Sequence, residues 1–240
     1  MPKVNFIIAG VQKAGTTALY EHLTEVPGIT LSTVKEVHFF DNEAMDWSNP
    51  DYGSYHAMFP PGADGVVGEA TPIYLYWPHS LARIRAYNRD MRLIILLRDP
   101  VERAWSHWRM ETARGVEQHP FGWCVRQGRE RMQPLGFHRE LSYVERGFYG
   151  AQLNRLLDLF PREQLLLLKS DHLRTDPNGV LTDVARFLDA PPPPKVEPRS
   201  VHVGQEMAGL EPGDVAYLRS LYAHDQARLR DLTGIHFSGA

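Results

Sequence analysis

The first residues that could do chemistry form a short glycine-bearing segment near the start of the chain. Residues 10–17 read Gly-Val-Gln-Lys-Ala-Gly-Thr-Thr and lie between an apolar stretch, Phe6 to Ala9, and a helical pattern that begins at Thr16. Two glycines permit a tight turn in which successive backbone amides point at an anion. The start of the helix adds unpaired N–H groups and the positive end of its dipole. The segment is therefore predicted to bind a phosphate group.

The side chains of this loop set it apart from the usual phosphate loop of nucleotide triphosphatases. That pattern places lysine directly after the second glycine, whereas here Thr16 takes the position and Lys13 lies two residues before Gly15. A strand–turn–helix connection with an incidental lysine is the structural alternative. The residues predicted to bind phosphate are Lys13, Ala14, Gly15, Thr16 and Thr17.

A second candidate anion site follows the apolar strand predicted from Arg92 to Leu97. Arg98 stands at the carboxyl end of this strand, where open α/β sheets place their ligands. Ser106 is eight residues later, about two helical turns along the same face of the predicted helix. The guanidinium of Arg98 and the hydroxyl of Ser106 could bind a second phosphate. A surface ion pair for Arg98 and a neutral helix position for Ser106 are the alternatives.

Asp99, the acidic residue after Arg98, has a structural explanation. It is followed by Pro100 and, at the third helical position, by Glu102, which together match a helix N-cap with a capping box. The histidines are scattered and no Cys-x-x-Cys motif occurs. The sequence therefore predicts no metal site.

Glu36 and His38 form a third group with chemical potential. They are two residues apart, so in an extended segment both side chains project to one face. A carboxylate and an imidazole that face one cavity suit proton abstraction from a hydroxyl group. The alternative is a pair of polar residues with only structural hydrogen bonds.

The elements that must position these residues alternate between apolar strands and amphipathic helices. This alternation predicts an α/β fold with a central parallel sheet and helices on both faces, in a single domain over residues 1–240. Residues 111–147 show weak periodicity and are either a lid or an excursion that only packs. The predicted strands are 4–9, 66–68, 92–97 and 164–168, and the predicted helices are 16–26, 79–87, 100–113, 149–160, 178–188 and 212–232.

Composition narrows the class of protein. Of 240 residues, 43% are hydrophobic and 23% charged, as in a soluble globular protein. A net charge of −3 argues against a non-specific nucleic-acid partner, and no apolar run is long enough to span a membrane. The one cysteine cannot form an internal disulfide, and the first residues do not resemble a signal peptide. A cytoplasmic location is the expectation.

Taken in order, these motifs resemble the superfamily of sulfotransferases that use 3′-phosphoadenosine 5′-phosphosulfate (PAPS). Residues 10–23 resemble its 5′-phosphosulfate loop, and residues 93–108 resemble its 3′-phosphate motif. The carbohydrate branch, which includes heparan sulfate sulfotransferases, is similar through residues 35–41, Lys-Glu-Val-His-Phe-Phe-Asp, and through residues 147–173. The resemblance runs from residue 6 to about residue 232 and implies the P-loop kinase-like sulfotransferase fold.

The resemblance also implies an activity and roles for individual residues. A sulfuryl group would pass from PAPS to an acceptor hydroxyl, without a metal, and leave adenosine 3′,5′-bisphosphate. Glu36 would be the general base, His38 would orient or contact the acceptor, and Lys13 would stabilise charge on the oxygen between phosphorus and sulfur. The alternatives are a P-loop nucleotide kinase or triphosphatase with an altered loop, and a non-catalytic nucleotide-binding protein.

The acceptor is less constrained than the donor. Glycan sulfotransferases often carry lysine where this chain has Ala70, next to Glu69. Without that basic contact, and with Glu69 retained, the sequence disfavours heparan sulfate as the acceptor. It favours a small-molecule metabolite, a lipid or a weakly charged glycan. Arg199 and His202 occupy the place of a basic loop in relatives, but the match there is poor and their role is left open.

Overall fold

A computed structural model describes residues 3–196 and 209–237. Arg199 and His202, whose role the sequence leaves open, lie outside the described residues. The chain divides into two compact units. The first unit comprises Met1–Leu97 and Leu156–Ser200, and the second unit comprises Arg98–Arg155 and Val201–Ala240.

The first unit is built on a five-stranded parallel sheet with the order β2-β3-β1-β4-β5. Every residue of β1 is buried, as are five of the six in β4; such continuous apolar strands are typical of sheets that are covered on both faces. The ring of Phe6 lies 2.3 Å from where a Cβ of Gly68 would stand, so only glycine fits at Gly68. The strands are β1 (Phe6–Gly10), β2 (Ile29–Leu31), β3 (Val66–Ala70), β4 (Arg92–Leu97) and β5 (Leu165–Lys169).

Helices cover both faces of this sheet, as the sequence predicts. The helix after β1 leads to β2 in one direction across the sheet, and the helix after β3 leads to β4 in the other. Because such crossovers are right-handed, these two helices lie on opposite faces. The helices of the first unit are α1 (Thr16–Leu23), α2 (Tyr52–His56), α3 (Ser80–Tyr87), α7 (Ser170–Thr175) and α8 (Pro177–Leu188), with a 3₁₀ turn at Arg162–Gln164.

The second unit is helical. Its apolar core includes Val101, Trp105, Phe121, Leu218 and Tyr222. Within residues 3–196 and 209–237, no helix is both long and apolar enough to cross a membrane. The helices of this unit are α4 (Pro100–Ala113), α5 (Phe121–Cys124) and α9 (Pro212–Thr233), with 3₁₀ turns at Gln127–Met132 and Glu145–Gly147; α6 (Tyr149–Leu159) crosses the boundary between the units.

Residues 111–147, the candidate lid, are tied into the second unit by buried polar contacts. The Glu117 carboxylate is 1% exposed, pairs with Arg131 at 2.8 Å and accepts the Tyr143 hydroxyl at 3.0 Å. Arg103, fully buried on α4, donates to the backbone carbonyl of Tyr143. Burial opposes ionisation of Glu117, but the hydrogen bonds from Arg131, the His119 backbone and Cys124, with the charge of Arg131, together outweigh it and lower its pKa to about 2. These contacts are those expected of a segment that packs within the second unit.

The predicted elements agree with the structure where the sequence pattern is long. β4 and α4 have the predicted bounds, whereas β1 begins at Phe6 rather than at residue 4, and α1 ends at Leu23 rather than at residue 26. β2, α2 and α7 are absent from the sequence prediction. They have three, five and six residues, which is too short to display a strand or helix period.

Candidate active site

The predicted phosphate loop joins β1 to α1 and is fixed to the neighbouring strand. The backbone N–H of Val11 donates to the carbonyl of Leu96 at 2.9 Å. Lys13 and Gly15 both have left-handed backbone angles, with φ of 74° and 91°, and Ala14 between them is buried. Left-handed residues of this kind occur in anion-binding nests, and the N–H of Ala14 closes the turn by donating to the carbonyl of Val11 at 3.2 Å.

The loop ends as the N-terminus of α1. Gly15 occupies the N-cap, and no side chain among the described residues caps it. The first N–H groups of a helix lack intrahelical partners, so an anion is a suitable cap. Thr16 is 4% exposed and Thr17 is exposed, and of the two it is Thr17 that presents its side chain to solvent.

Glu36 and His38 meet, as the sequence predicts, and Asp41 joins them. The imidazole Nε2 of His38 lies 3.3 Å from Glu36 Oε2, and its Nδ1 lies 2.9 Å from Asp41 Oδ2. Lys35 Nζ lies 3.4 Å from the other oxygen of Glu36. Asp41 is fully buried. The imidazole therefore bridges a buried carboxylate and a partly exposed one.

The backbone that produces this contact differs from the prediction. Residues 36–39 form no strand, and His38 has a φ of 54°, in the left-handed region. The expectation of an extended segment is therefore wrong, although the predicted meeting of the Glu36 and His38 side chains is right. The two side chains meet because the backbone turns at His38, and the same turn brings Asp41 to the second ring nitrogen.

The electrostatics of this group favour charged forms. The hydrogen bonds to Asp41 and then to Glu36 raise the pKa of His38 to about 9, so the imidazole is protonated at neutral pH. Burial alone would raise the pKa of Glu36, but the hydrogen bond of His38 and the charge of Lys35 lower it. Glu36 is thus ionised at neutral pH and able to accept a proton.

Glu69 and Ala70 are not in a position to contact an acceptor. Both are fully buried in β3. The carboxyl group of Glu69 is surrounded by the hydroxyls of Thr71, Tyr55 and Tyr74. Repulsion of an anionic acceptor by Glu69 was the expectation, and burial removes its physical basis. Sequence reasoning did not assign Thr71 and Tyr74 to this carboxyl group, although both lie within five residues of Glu69.

In the second unit, Arg98 lies two residues before α4, with the N-cap Asp99 between them. The carboxylate of Asp99 accepts the backbone N–H groups of Val101 at 2.9 Å and Glu102 at 3.2 Å, which confirms the predicted N-cap. Arg98 Nε donates to Glu102 at 3.2 Å. Arg98 lies outside the helix that holds Ser106, so the prediction that they share a helix face is wrong. Both remain candidates because Arg98 has a guanidinium and Ser106 a partly exposed hydroxyl.

Among the side chains of residues 3–196 and 209–237, no group of three or more His, Cys, Asp or Glu has the arrangement of a metal site. The His38 imidazole, with carboxylates at both nitrogens, is held as a charged group rather than as a neutral ligand.

Comparison with known proteins places the chain in a family. The sulfotransferase domain model matches residues 3–203. The chain is 32% identical to human heparan sulfate glucosamine 3-O-sulfotransferases 3B1 and 3A1 over 186 residues, which are 76% of this chain and 45% and 43% of those proteins. It thus spans about half the length of the curated relatives it matches.

Solved structures agree in fold. The crystal structure of a sulfotransferase from Alicyclobacillus acidocaldarius is 28% identical, with a TM-score of 0.83 and coverage of 98% of this chain and 97% of that one. Mouse sulfotransferase SULT7A1 complexed with PAP, at 10% identity, has a TM-score of 0.57, with coverage of 93% and 85%; this match bears on the fold alone. The chain belongs to the sulfotransferase family and has the sulfotransferase fold.

Proposed function

We propose that this protein transfers a sulfuryl group from PAPS to an acceptor hydroxyl. The observation that carries the proposal is the loop between β1 and α1, in which left-handed Lys13 and Gly15 precede a helix without a side-chain cap. A nucleotide kinase or triphosphatase is less well supported. Asp99, the acid nearest to the end of β4, already caps α4, and the loop lysine is displaced from its usual position.

The two charged ends of the donor are assigned to two sets of residues. The 5′-phosphosulfate is assigned to Lys13, Ala14, Gly15, Thr16 and Thr17, and the 3′-phosphate to Arg98 and Ser106. The assignment is supported by the order of the motifs and by the family match, which extends over residues 3–203. The same extent supports treating the chain as a single sulfotransferase domain.

Glu36 is the proposed general base. It is ionised at neutral pH because His38 and Lys35 lower its pKa, so it can accept the proton of an acceptor hydroxyl. The acceptor oxygen then forms a bond to sulfur as the bond from sulfur to the bridging oxygen breaks. The departing oxygen stays on adenosine 3′,5′-bisphosphate, and Lys13 stabilises the charge that develops there. The sulfuryl group carries less charge than a phosphoryl group, and no metal is invoked.

A saccharide hydroxyl is the proposed acceptor. The relatives named above are heparan sulfate glucosamine 3-O-sulfotransferases, and burial of Glu69 removes the repulsion that it was expected to exert on an anionic saccharide. Hydroxyls of lipids and small metabolites are the other classes to screen. Transfer of labelled sulfate from PAPS to a panel of these acceptors tests the choice. Donor binding without transfer to any acceptor would favour a non-catalytic nucleotide-binding protein.

Donor recognition is tested by thermal unfolding without magnesium. Adenosine 3′,5′-bisphosphate should stabilise the protein by about 2.7 kcal/mol at a hundred times its dissociation constant, and far more than AMP does at equal concentration.

Arg98→Ala should weaken bisphosphate binding by about 2–5 kcal/mol, as expected for loss of a buried charge partner. Arg114→Ala is the control, because Arg114 is a largely exposed arginine of the same unit. Equal stabilisation by AMP and the bisphosphate would contradict the second anion site, and a preference for ATP would favour a kinase.

A further inference from the structure

The proposed chemistry does not use one buried carboxyl group, that of Glu69, which is linked to residues 36–41 through hydrogen bonds. Glu69 is fully buried. Its Oε2 accepts the hydroxyl of Thr71 at 2.5 Å, and its Oε1 accepts the hydroxyls of Tyr55 and Tyr74, both at 3.1 Å. Three donors on one carboxyl group are the arrangement that suits its ionised form.

Two of these hydroxyls also hold the backbone on either side of His38. The N–H of Val37 donates to the Thr71 hydroxyl at 3.0 Å, and the N–H of Phe39 donates to the Tyr74 hydroxyl at 3.0 Å. A hydroxyl has a single proton. Since each accepts a backbone N–H with its lone pair, its proton is available for Glu69. By accepting their protons, Glu69 therefore orients both hydroxyls so that their lone pairs face the backbone N–H groups.

The residue between these two anchors has an unfavourable backbone. His38 has a φ of 54°, and a side chain other than glycine is disfavoured there. Such a conformation persists only where the surroundings determine it. The N–H of Phe39 belongs to the peptide unit that follows His38, and the N–H of Val37 to the unit before Val37, so the two bonds anchor the backbone on either side of the turn.

We propose that Glu69, acting through Thr71 and Tyr74, is a positioning residue that holds the turn at His38 and keeps Glu36, His38 and Asp41 in contact. Its effect on turnover rests on the proposed function, because it requires Glu36 to be the base. Its effect on the geometry does not.

Burial explains why a carboxyl group in this place needs all three donors. Burial raises the pKa of Glu69 to about 7, although the hydrogen bonds from Thr71, Tyr55 and Tyr74 oppose the rise, and the negative charge of Asp41 adds to it. Loss of one donor removes part of that opposition and favours the neutral acid. A neutral acid must itself donate, so it competes with the hydroxyl protons that the network requires.

The two tyrosines offer a matched pair of variants. Both are fully buried and both donate to the same oxygen of Glu69 at the same distance. Tyr74→Phe removes a hydroxyl that also accepts the backbone N–H of Phe39. Tyr55→Phe removes a hydroxyl on α2 that donates to Glu69. Each phenylalanine retains its aromatic ring, so packing is preserved. A larger effect in Tyr74→Phe than in Tyr55→Phe reports the hydroxyl that joins Glu69 to the turn.

The primary readout is the pKa of the His38 imidazole, measured by NMR titration with the resonance assigned through His38→Gln. In Tyr74→Phe this pKa should fall from about 9 towards its ordinary value, because the contacts to Asp41 and Glu36 loosen. Tyr55→Phe should lower it less, because Thr71 and Tyr74 still donate to Glu69 and still accept the N–H groups of the turn. Turnover in Tyr74→Phe should fall by roughly 10²-fold, the effect of an ångström of misplacement, without change in bisphosphate affinity.

A second pair covers the case in which Tyr74→Phe does not fold. Thr71→Val removes the other hydroxyl, and Thr71→Ser retains it, so only Thr71→Val should lower the His38 pKa and turnover. Equal His38 pKa values in the two members of each pair would overturn the positioning role. If the wild type transfers no sulfate, the proposed function fails, but the titration still decides the positioning role.

Discussion

The phosphate loop at residues 10–17 and the segment at residues 35–41 carry the two halves of the proposed chemistry, and they are built differently. The loop is made of backbone, and its shape comes from Gly15 and from the start of α1 directly after it. The segment is made of side chains on irregular backbone. Its turn is held by Thr71 and Tyr74, which are 34 and 35 positions away from the N–H groups they accept.

This difference separates binding from catalysis in the first unit. Apart from Lys13, whose charge is assigned to the bridging oxygen, a loop that recognises an anion through its backbone tolerates changes of side chain as long as the left-handed residues keep their shape. A segment that acts through Glu36, His38 and Asp41 depends on each group and on the hydrogen bonds that hold it. Changes in the backbone of the loop should therefore appear in donor affinity, and changes in the segment should appear in turnover.

The largest expected effect is in the segment, at Glu36→Gln. Glutamine has nearly the same shape but cannot accept the proton, so turnover should fall by roughly 10²–10⁴, the usual contribution of a general base. Bisphosphate affinity should not change, because Glu36 is assigned to neither phosphate. Turnover with labelled PAPS and calorimetry with the bisphosphate, on the same preparations, measure both quantities.

His38→Ala is the companion variant for this experiment. His38 is protonated at neutral pH, since Asp41 and Glu36 raise its pKa to about 9, and a protonated imidazole cannot serve as the base. Its loss should therefore be milder than that of Glu36. Collapse of turnover in His38→Ala with near-normal turnover in Glu36→Gln would transfer the base role to His38. A parallel loss of bisphosphate affinity would show that Glu36 is structural.

Much of the fold could be predicted because the signals for its longest elements lie within continuous stretches of sequence. β4 is an uninterrupted apolar run, and α4 begins with Asp99 as its cap and Pro100 in its first turn. β2 could not be predicted in the same way. It has three residues and is a strand only because it pairs with β3, which lies far along the chain.

The same distinction applies to the site. The loop was predictable because Gly15 and the helix start are adjacent in sequence. The meeting of Glu36 with His38 was also predicted, but from an extended backbone that the structure does not have. The turn depends on hydroxyls contributed by the chain beyond β3, and Glu69, which orients them, reads in sequence as a charge that could face a substrate. Only the folded arrangement shows that this charge is internal.

A smaller effect is expected in the loop, at Gly15→Ala. Gly15 has a φ of 91°, and a Cβ there would lie at ordinary contact distances of 3.7 Å from Leu173 and Ser170. The cost is therefore backbone strain, about 1–2 kcal/mol of unfolding free energy. If the loop relaxes to relieve that strain, its amides turn from the anion, and bisphosphate affinity should fall by roughly tenfold, equivalent to about 1.4 kcal/mol.

Gly62→Ala is the matched control for strain. Gly62 has a φ of 76°, and no atom lies within 4 Å of the position of its Cβ. Urea denaturation should show a similar loss of stability in both variants, and calorimetry should show a loss of bisphosphate affinity in Gly15→Ala alone. Unchanged affinity in Gly15→Ala would mean that the loop does not bind the donor through its backbone.

The smallest expected effect is a pH dependence of stability from His38. Its pKa rises from the ordinary 6.5 to about 9 in the folded state, so its stabilising contribution is complete below pH 6.5 and is lost as the pH rises through 9. The effect is small because the side chain is 45% exposed and solvent screens the charge pairs. Urea denaturation of the wild type and His38→Gln should therefore give a larger difference in unfolding free energy at pH 6 than at pH 9.5.

His56→Gln provides a control of opposite sign. Burial lowers the pKa of His56, so the stability of the wild type relative to His56→Gln should grow as the pH rises through 6.5. If the difference in unfolding free energy between the wild type and His38→Gln stays constant with pH, Glu36 and Asp41 do not raise the pKa of the imidazole. That result would contradict the argument that His38 keeps Glu36 ionised.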